Sequence, residues 1–97
     1  MVRESQFQAN LIKELKSRFP GAVVMKLDAQ YKQGVPDILI LNGPKWATLE
    51  CKRSSKSSLR PNQDYYIDRM NEMSFSRLIF PENKEEVLNE LQRAFES

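Results

Sequence analysis

The sequence predicts a mixed α/β layer structure with seven elements in the order α-β-β-β-α-β-α. Three observations carry this expectation. Apolar residues recur at helical spacing near both ends of the chain: Phe7, Leu11, Ile12, Leu15 and Phe19 at one, and Val87, Leu88, Leu91 and Phe95 at the other. Between them, two apolar runs of strand length, 36–41 and 46–52, flank the turn Asn42-Gly43-Pro44-Lys45. Prolines at positions 20, 61 and 81 fall where the pattern changes.

The first helix is expected from about Glu4 to Phe19, where Pro20-Gly21 stops it. Ala22 to Leu27 is a short β-type run. Pro36 to Leu41 and Trp46 to Lys52 are the second and third strands, and Ile38-Leu39-Ile40-Leu41 reads as a strand covered on both faces. Arg53 to Ser58 is a basic, Ser-rich loop. Pro61 suits the first turn of a helix because it lacks the N–H that would be unpaired there, and this helix reaches about Met73. Phe75 to Phe80 is a fourth strand. After Pro81 comes a last helix, with Glu82, Glu85 and Glu86 favourable at its positive end. The result is a mixed four-stranded sheet flanked by helices.

A chain of 97 residues suggests a single domain, residues 1–97, near the lower size limit for one hydrophobic core. Its 40% hydrophobic and 29% charged content is that of a globular protein, not a disordered one. No apolar run approaches the ~18 residues of a membrane span, so no membrane role is expected. The N-terminus has no signal-like stretch, and one cysteine cannot form an intrachain disulfide, so a reducing cytoplasm is expected. With no histidine and one cysteine, a zinc site is excluded. Any metal site must be oxygen-rich, which suits Mg²⁺ or Mn²⁺. The net charge of +2 says little, but its distribution is uneven. Cys51 to Gln63 holds Lys52, Arg53, Lys56 and Arg60 with no acid, whereas Glu82 to Ser97 holds five Glu against Lys84 and Arg93. The basic segment is either a phosphate-seeking surface or a solvated charged loop.

Two acids and a lysine carry the chemistry: Asp37 in Gly34-Val35-Pro36-Asp37, then Glu50 and Lys52 in Glu50-Cys51-Lys52. If Leu41 and Trp46 flank a four-residue turn, antiparallel pairing places Asp37 directly opposite Glu50. Opposed Cβ atoms lie roughly 4.5–5.5 Å apart, where like charges repel. A divalent cation between them reverses that sign. A two-residue shift would leave the acids diagonal but on one face, and an exposed hairpin end would merely tolerate them. Lys52 shares the face of Glu50. It could hold an attacking water or neutralise a phosphate, or be one more lysine at a strand end. The Cys51 carbonyl lies between the two and offers another hard oxygen, while its thiol reads as a core group.

Glu4 falls in the middle of the first helix's apolar stripe when ~100° is counted per residue. It either faces a partner at the sheet edge or stays wet at the positive helix end. Gln63 shares an inward helical face with Tyr66, Met70 and Met73. Its amide could orient a water or phosphate, or satisfy neighbouring backbone.

With these residues placed, the chain resembles the PD-(D/E)XK nuclease superfamily, and within it the virus-type replication-repair nuclease (VRR-NUC) domain. The resemblance rests on Glu4-Ser5-x-x-Gln8, Val24-x-Lys26, Gly34-Val35-Pro36-Asp37, Glu50-Cys51-Lys52 and Leu59-Arg60-Pro61-x-Gln63. It implies a restriction-endonuclease-like core and Mg²⁺- or Mn²⁺-dependent cleavage of DNA phosphodiesters. It implies a metal held by Asp37, Glu50 and the Cys51 carbonyl, Lys52 as catalytic lysine, Glu4 as helix-borne acid (reaching the metal directly or through water) and Gln63 as motif glutamine. Small members similar to this chain imply a homodimer acting on branched DNA such as Holliday junctions, in a bacterial or phage-infected cell. Cys51 stands where an aliphatic residue is common, a mild departure because only its carbonyl is implicated.

Lys26, Lys32, Arg53, Lys56 and Arg60 are candidates to hold the DNA backbone, contacts that position a duplex without reading its sequence. Tyr31 and Tyr65 could stack at an opened junction, though packing is the simpler role for each. The competing reading is a non-catalytic branched-DNA-binding module on the same fold.

Overall fold

The computed structural model describes residues 3–97. Its elements are α1 (Glu4–Arg18), β1 (Val23–Lys26), β2 (Ile38–Asn42), β3 (Lys45–Cys51), α2 (Gln63–Met73), β4 (Phe75–Ile79) and α3 (Lys84–Glu96), in the expected order. The strands form one sheet ordered β1-β2-β3-β4. The first three are antiparallel neighbours, and β4 runs parallel to β3. A parallel pair requires a crossover, which α2 supplies.

One face of the sheet carries the core. Ile38, Ile40, Ala47, Leu49, Cys51, Phe75 and Ile79 pack there with Phe7, Leu11, Leu15 and Phe19 of α1 and with Val87, Leu88 and Leu91 of α3. The stripes foreseen on the two terminal helices are thus the core stripes. Phe19 and Phe95 meet edge to face at 5.3 Å, joining the end of α1 to the end of α3. The other face is covered by α2 over β3 and β4. There Thr48 donates to the Ser76 hydroxyl at 2.8 Å, so two buried polar groups satisfy each other.

The β2–β3 register is the expected one, with Leu41 opposite Trp46 and Ile38 opposite Leu49. The turn is tighter than expected. Asn42 and Lys45 already pair, leaving a two-residue loop of Gly43 and Pro44. Gly43 has φ +63°, as the first central residue of such a hairpin requires.

Four expectations need correction. The apolar run of β2 is not covered on both faces: Ile38 and Ile40 are fully buried, but Leu41 is 38% exposed. Among the described residues α2 packs on β3 and β4 and leaves β1 and β2 largely uncovered on its side, so Val23, Met25 and Leu41 stay partly open there. Next, α2 begins at Gln63 and not at Pro61, because Asn62 takes a left-handed conformation with φ 70° that is not helical. Met73 is exposed, so the inward face of α2 ends at Met70. Finally, Glu82 precedes α3 and accepts bonds from the Ser55 N–H and hydroxyl, at 3.3 Å each, so only Glu85 and Glu86 serve the helix's first turn.

Candidate active site

The end of the sheet where β2 begins and β3 stops is where the acidic residues gather. Beyond Ile38 the ladder ends, and the Asp37 side chain takes over. Its Oδ2 accepts the Cys51 backbone N–H at 2.8 Å. That bond ties Asp37 to the strand that carries Glu50. Glu50, Lys52 and Gln63 are buried, at 2%, 5% and 8% exposure.

Gln63 links the other two. Its Nε2 donates to Glu50 Oε2 at 2.8 Å, and its Oε1 accepts Lys52 Nζ at 2.9 Å. The same Oε1 accepts the Arg60 backbone N–H at 2.7 Å, which fixes the amide's orientation from the loop before α2. Lys52 Nζ lies 3.6 Å from Glu50 Oε2. Sequence reasoning foresaw an inward amide that could orient a water or a phosphate. The structure turns it toward Glu50 and Lys52, which it holds as a pair.

Glu50 Oε1 has no hydrogen-bond partner and is buried. An orphaned carboxylate oxygen is costly unless something meets it. Glu50 lines a cleft of about 400 Å³ whose walls also include Glu4, Asp37, Lys52, Arg60 and Gln63, together with residues of the loop 29–35. Among the described residues no three acidic, histidine or cysteine side chains converge closely enough to hold one ion. A metal here would therefore rest on two carboxylates, with backbone and water oxygens completing the set. Hard-oxygen donors of this kind fit Mg²⁺ or Mn²⁺. Glu4 shares the cleft but makes no third convergent ligand.

Burial raises the Asp37 carboxyl above its ordinary range, against the lowering effects of the Cys51 N–H, Lys52, Arg60 and Gln8. Glu50 is pushed up to about 7, first by burial and then by the charge of Asp37, with Lys52 opposing. Burial, with Asp37 and Glu50 adding, also raises the Cys51 thiol, which is inert core as expected. Burial raises both carboxyls and the charge of Asp37 adds to the rise of Glu50, so a cation placed between them would be favourable to both.

A pH dependence follows. In EDTA the folded chain holds more protons than the unfolded chain between the ordinary Glu value of 4.5 and about 7. Stability must then fall as pH rises through that window, by at most about 3 kcal/mol for Glu50 alone. Urea unfolding at pH 5 and pH 8 should show the drop, and Glu50→Gln should flatten it.

Of the basic candidates, Arg60 lines the cleft, whereas Lys26, Lys32, Arg53 and Lys56 are exposed outside it. Lys32 rides on the rim loop. Gln8, which the sequence gives no role beyond its place in the Glu4-Ser5-x-x-Gln8 motif, is close enough to Asp37 to oppose, weakly, the rise of its carboxyl. The signal was available: Gln8 is one helical turn past Glu4, on the same face. Gly34 was read only as part of a motif. It has φ +94°, and a Cβ there would lie 2.6 Å from the Asn62 Cβ, so the rim loop and the α2 approach touch backbone to backbone.

No family model matches the chain, and no curated protein does. Two solved structures share its fold. One, described as a VRR_NUC domain, matches with TM-score 0.66 and 21% identity over 92% of this chain and 97% of the other. The second is an Archaeoglobus fulgidus Hjc, described as a Holliday junction resolvase from an archaeal hyperthermophile. It matches with TM-score 0.54 and 18% identity over 77% of this chain and 66% of the other. The chain has the restriction-endonuclease-like VRR_NUC fold.

Proposed function

We propose that this chain is a Mg²⁺- or Mn²⁺-dependent endonuclease that cuts DNA phosphodiesters at branched structures such as Holliday junctions. The observation that carries the reading is that Glu50, with its Oε1 buried and unpartnered, lines one cleft together with Asp37 and Lys52. The similarity to a resolvase fold supports branched DNA as the substrate class.

In this reading Asp37, Glu50 and the Cys51 carbonyl would hold the ion, with Glu4 reaching it through water. When bound, such an ion supplies Lewis-acid stabilisation of the phosphate and a water acidic enough to attack at neutral pH. Gln63 acts before the chemistry, holding Glu50 and Lys52 by the bonds already described. Lys52 is thereby kept near Glu50 without being spent on it, since at 3.6 Å the ion pair is loose. Its remaining N–H groups are free for the phosphate oxygens or the attacking water. Lys52→Ala is expected to lower cleavage about 10²–10³-fold with the fold intact, the loss typical of one transition-state donor. Single-turnover kinetics with far-UV circular dichroism would check both halves.

Arg60, Lys32, Arg53, Lys56 and Lys26 would position the DNA backbone around the cleft. Affinity should then fall steeply with salt, with a log–log slope of about −4.5 if about five phosphates are neutralised. Anisotropy titrations from 50 to 200 mM salt would test this, and a flat response would contradict backbone binding. The chain spans 31 × 28 × 22 Å and carries one such cleft among its described residues, so two coordinated nicks call for a homodimer. The open half of the sheet, with Val23, Met25 and Leu41, is the apolar surface a second copy would cover.

The deciding experiment incubates the protein with four-way junction, flap, duplex and single-stranded DNA in Mg²⁺, Mn²⁺ and EDTA. Cleavage of branched substrates in either metal and none in EDTA is expected. Junction binding with no cleavage in Mn²⁺ would favour the non-catalytic module instead.

A further inference from the structure

The most exposed of the large apolar and aromatic side chains among the described residues is Tyr31, at 88%. A single exposed ring is ordinary on a protein surface; what sets this one apart is the cavity at its side. Tyr31 sits beside a hollow of about 290 Å³, walled by Leu27, Tyr31 and Val35 with Asp28 and Lys32 at its rim. Val35 also lines the catalytic cleft, so the two cavities share a wall.

The loop that carries the ring is tied down. The Asp28 carbonyl accepts the N–H groups of Tyr31 at 3.1 Å and Lys32 at 3.4 Å. The Lys32 carbonyl accepts the Val35 N–H at 3.4 Å. The one acid at the rim is engaged, since Asp28 Oδ1 accepts the Gln30 N–H at 2.8 Å. Just before Val35 the loop is pinned by the close approach of Gly34 to Asn62. Tyr31 is therefore presented by a fastened turn, and Lys32 beside it adds a cation.

We propose that this hollow takes one nucleobase unstacked at the branch point of the substrate, seated on Tyr31, with Lys32 on an adjacent phosphate. The inference rests on the reading of the cleft as a site for branched DNA and adds the feature that tells a branch from a duplex. A base has a π face whatever its identity, so stacking here is tolerant of sequence. Apolar walls from Leu27 and Val35, an exposed aromatic face and a lysine at the edge suit a base and its phosphate better than an apolar peptide, and Asp28 disfavours an acidic one. A continuous duplex keeps each base stacked on both sides, whereas a branch interrupts the stack and lets a base open. The hollow therefore favours junctions and flaps without touching the chemistry in the neighbouring cleft.

The test uses four-way junctions with 5-iodouracil at the branch point, and the same label inside a continuous duplex, irradiated with the protein in EDTA. A cross-link to Tyr31 is expected on the junction and not on the duplex, mapped by mass spectrometry. Tyr31→Ala should lose it and weaken junction binding about tenfold, while duplex binding changes little. Tyr31→Phe should keep junction affinity. Equal losses on junction and duplex in Tyr31→Ala, or a cross-link mapping elsewhere, would overturn the proposal. Asp37→Asn separates the two ideas, because it should lose cleavage yet retain the cross-link. A wild-type protein that cross-links at Tyr31 but never cuts would sink the nuclease reading alone. One that binds no branched DNA would sink both.

Discussion

Asp37→Asn should reduce divalent-dependent junction cleavage by about 10³-fold or more, the scale of losing a group that organises transition-state charge. The same variant should be more stable than wild type in EDTA at pH 8. Both effects come from one cause. Asp37 is half-buried at the end of β2, with a carboxyl raised by burial and a charge that in turn raises Glu50. Asparagine keeps an oxygen for the Cys51 N–H but removes the charge. On the proposed reading the site loses a ligand for a cation, and the fold loses a repulsion. A purely structural Asp37 would behave differently, with no cleavage to lose. Thermal melts with and without Mn²⁺ separate the cases: the cation should stabilise wild type by mass action and Asp37→Asn much less.

Gly34→Ala should be the most damaging change away from the carboxylates. The position has φ +94°, which disfavours any side chain. The added Cβ would also lie 2.8 Å from the Asn62 backbone carbon and 2.9 Å from its oxygen. Backbone cannot swing aside as a flexible side chain would. A cost of about 3 kcal/mol is expected, combining left-handed strain with the clash. The consequences reach the site from both sides, because Asp37 follows Gly34 by three residues and Gln63 follows Asn62 directly. Cleavage should fall even where the variant is folded. Gly21→Ala is the control, since nothing lies within 4 Å of a Cβ there and its φ is ordinary. It should change stability by less than about 0.5 kcal/mol. Equal urea midpoints for the two variants would contradict this account of the loop contact.

The β2–β3 register was legible in the sequence because side-chain alternation and a tight turn are local signals. They survive even though the turn is two residues long where four were expected, since Leu41 and Trp46 pair either way. The core stripes of α1 and α3 were legible for the same reason. The start of α2 was not. It depends on Asn62 at φ 70°, which sits against Gly34 across the fold. The openness of the β2 outer face was also hidden, because helix coverage is a tertiary property that an apolar run does not record. At the site, Asp37, Glu50, Lys52, Gln63 and Glu4 could all be named from spacing and resemblance, and the cleft gathers them. What spacing could not give was hydrogen-bond direction: that Gln63 bridges Glu50 and Lys52, and that one oxygen of Glu50 is left unmet.

The measurement that bears most directly on the central claim is junction cleavage by wild type, Asp37→Asn and Lys52→Ala side by side in Mn²⁺ and in EDTA. Nicked product from wild type in Mn²⁺ alone, with both variants reduced at least about 10²-fold and all three folded, is the predicted result. Cleavage that persists in EDTA, or that survives in both variants, would contradict it.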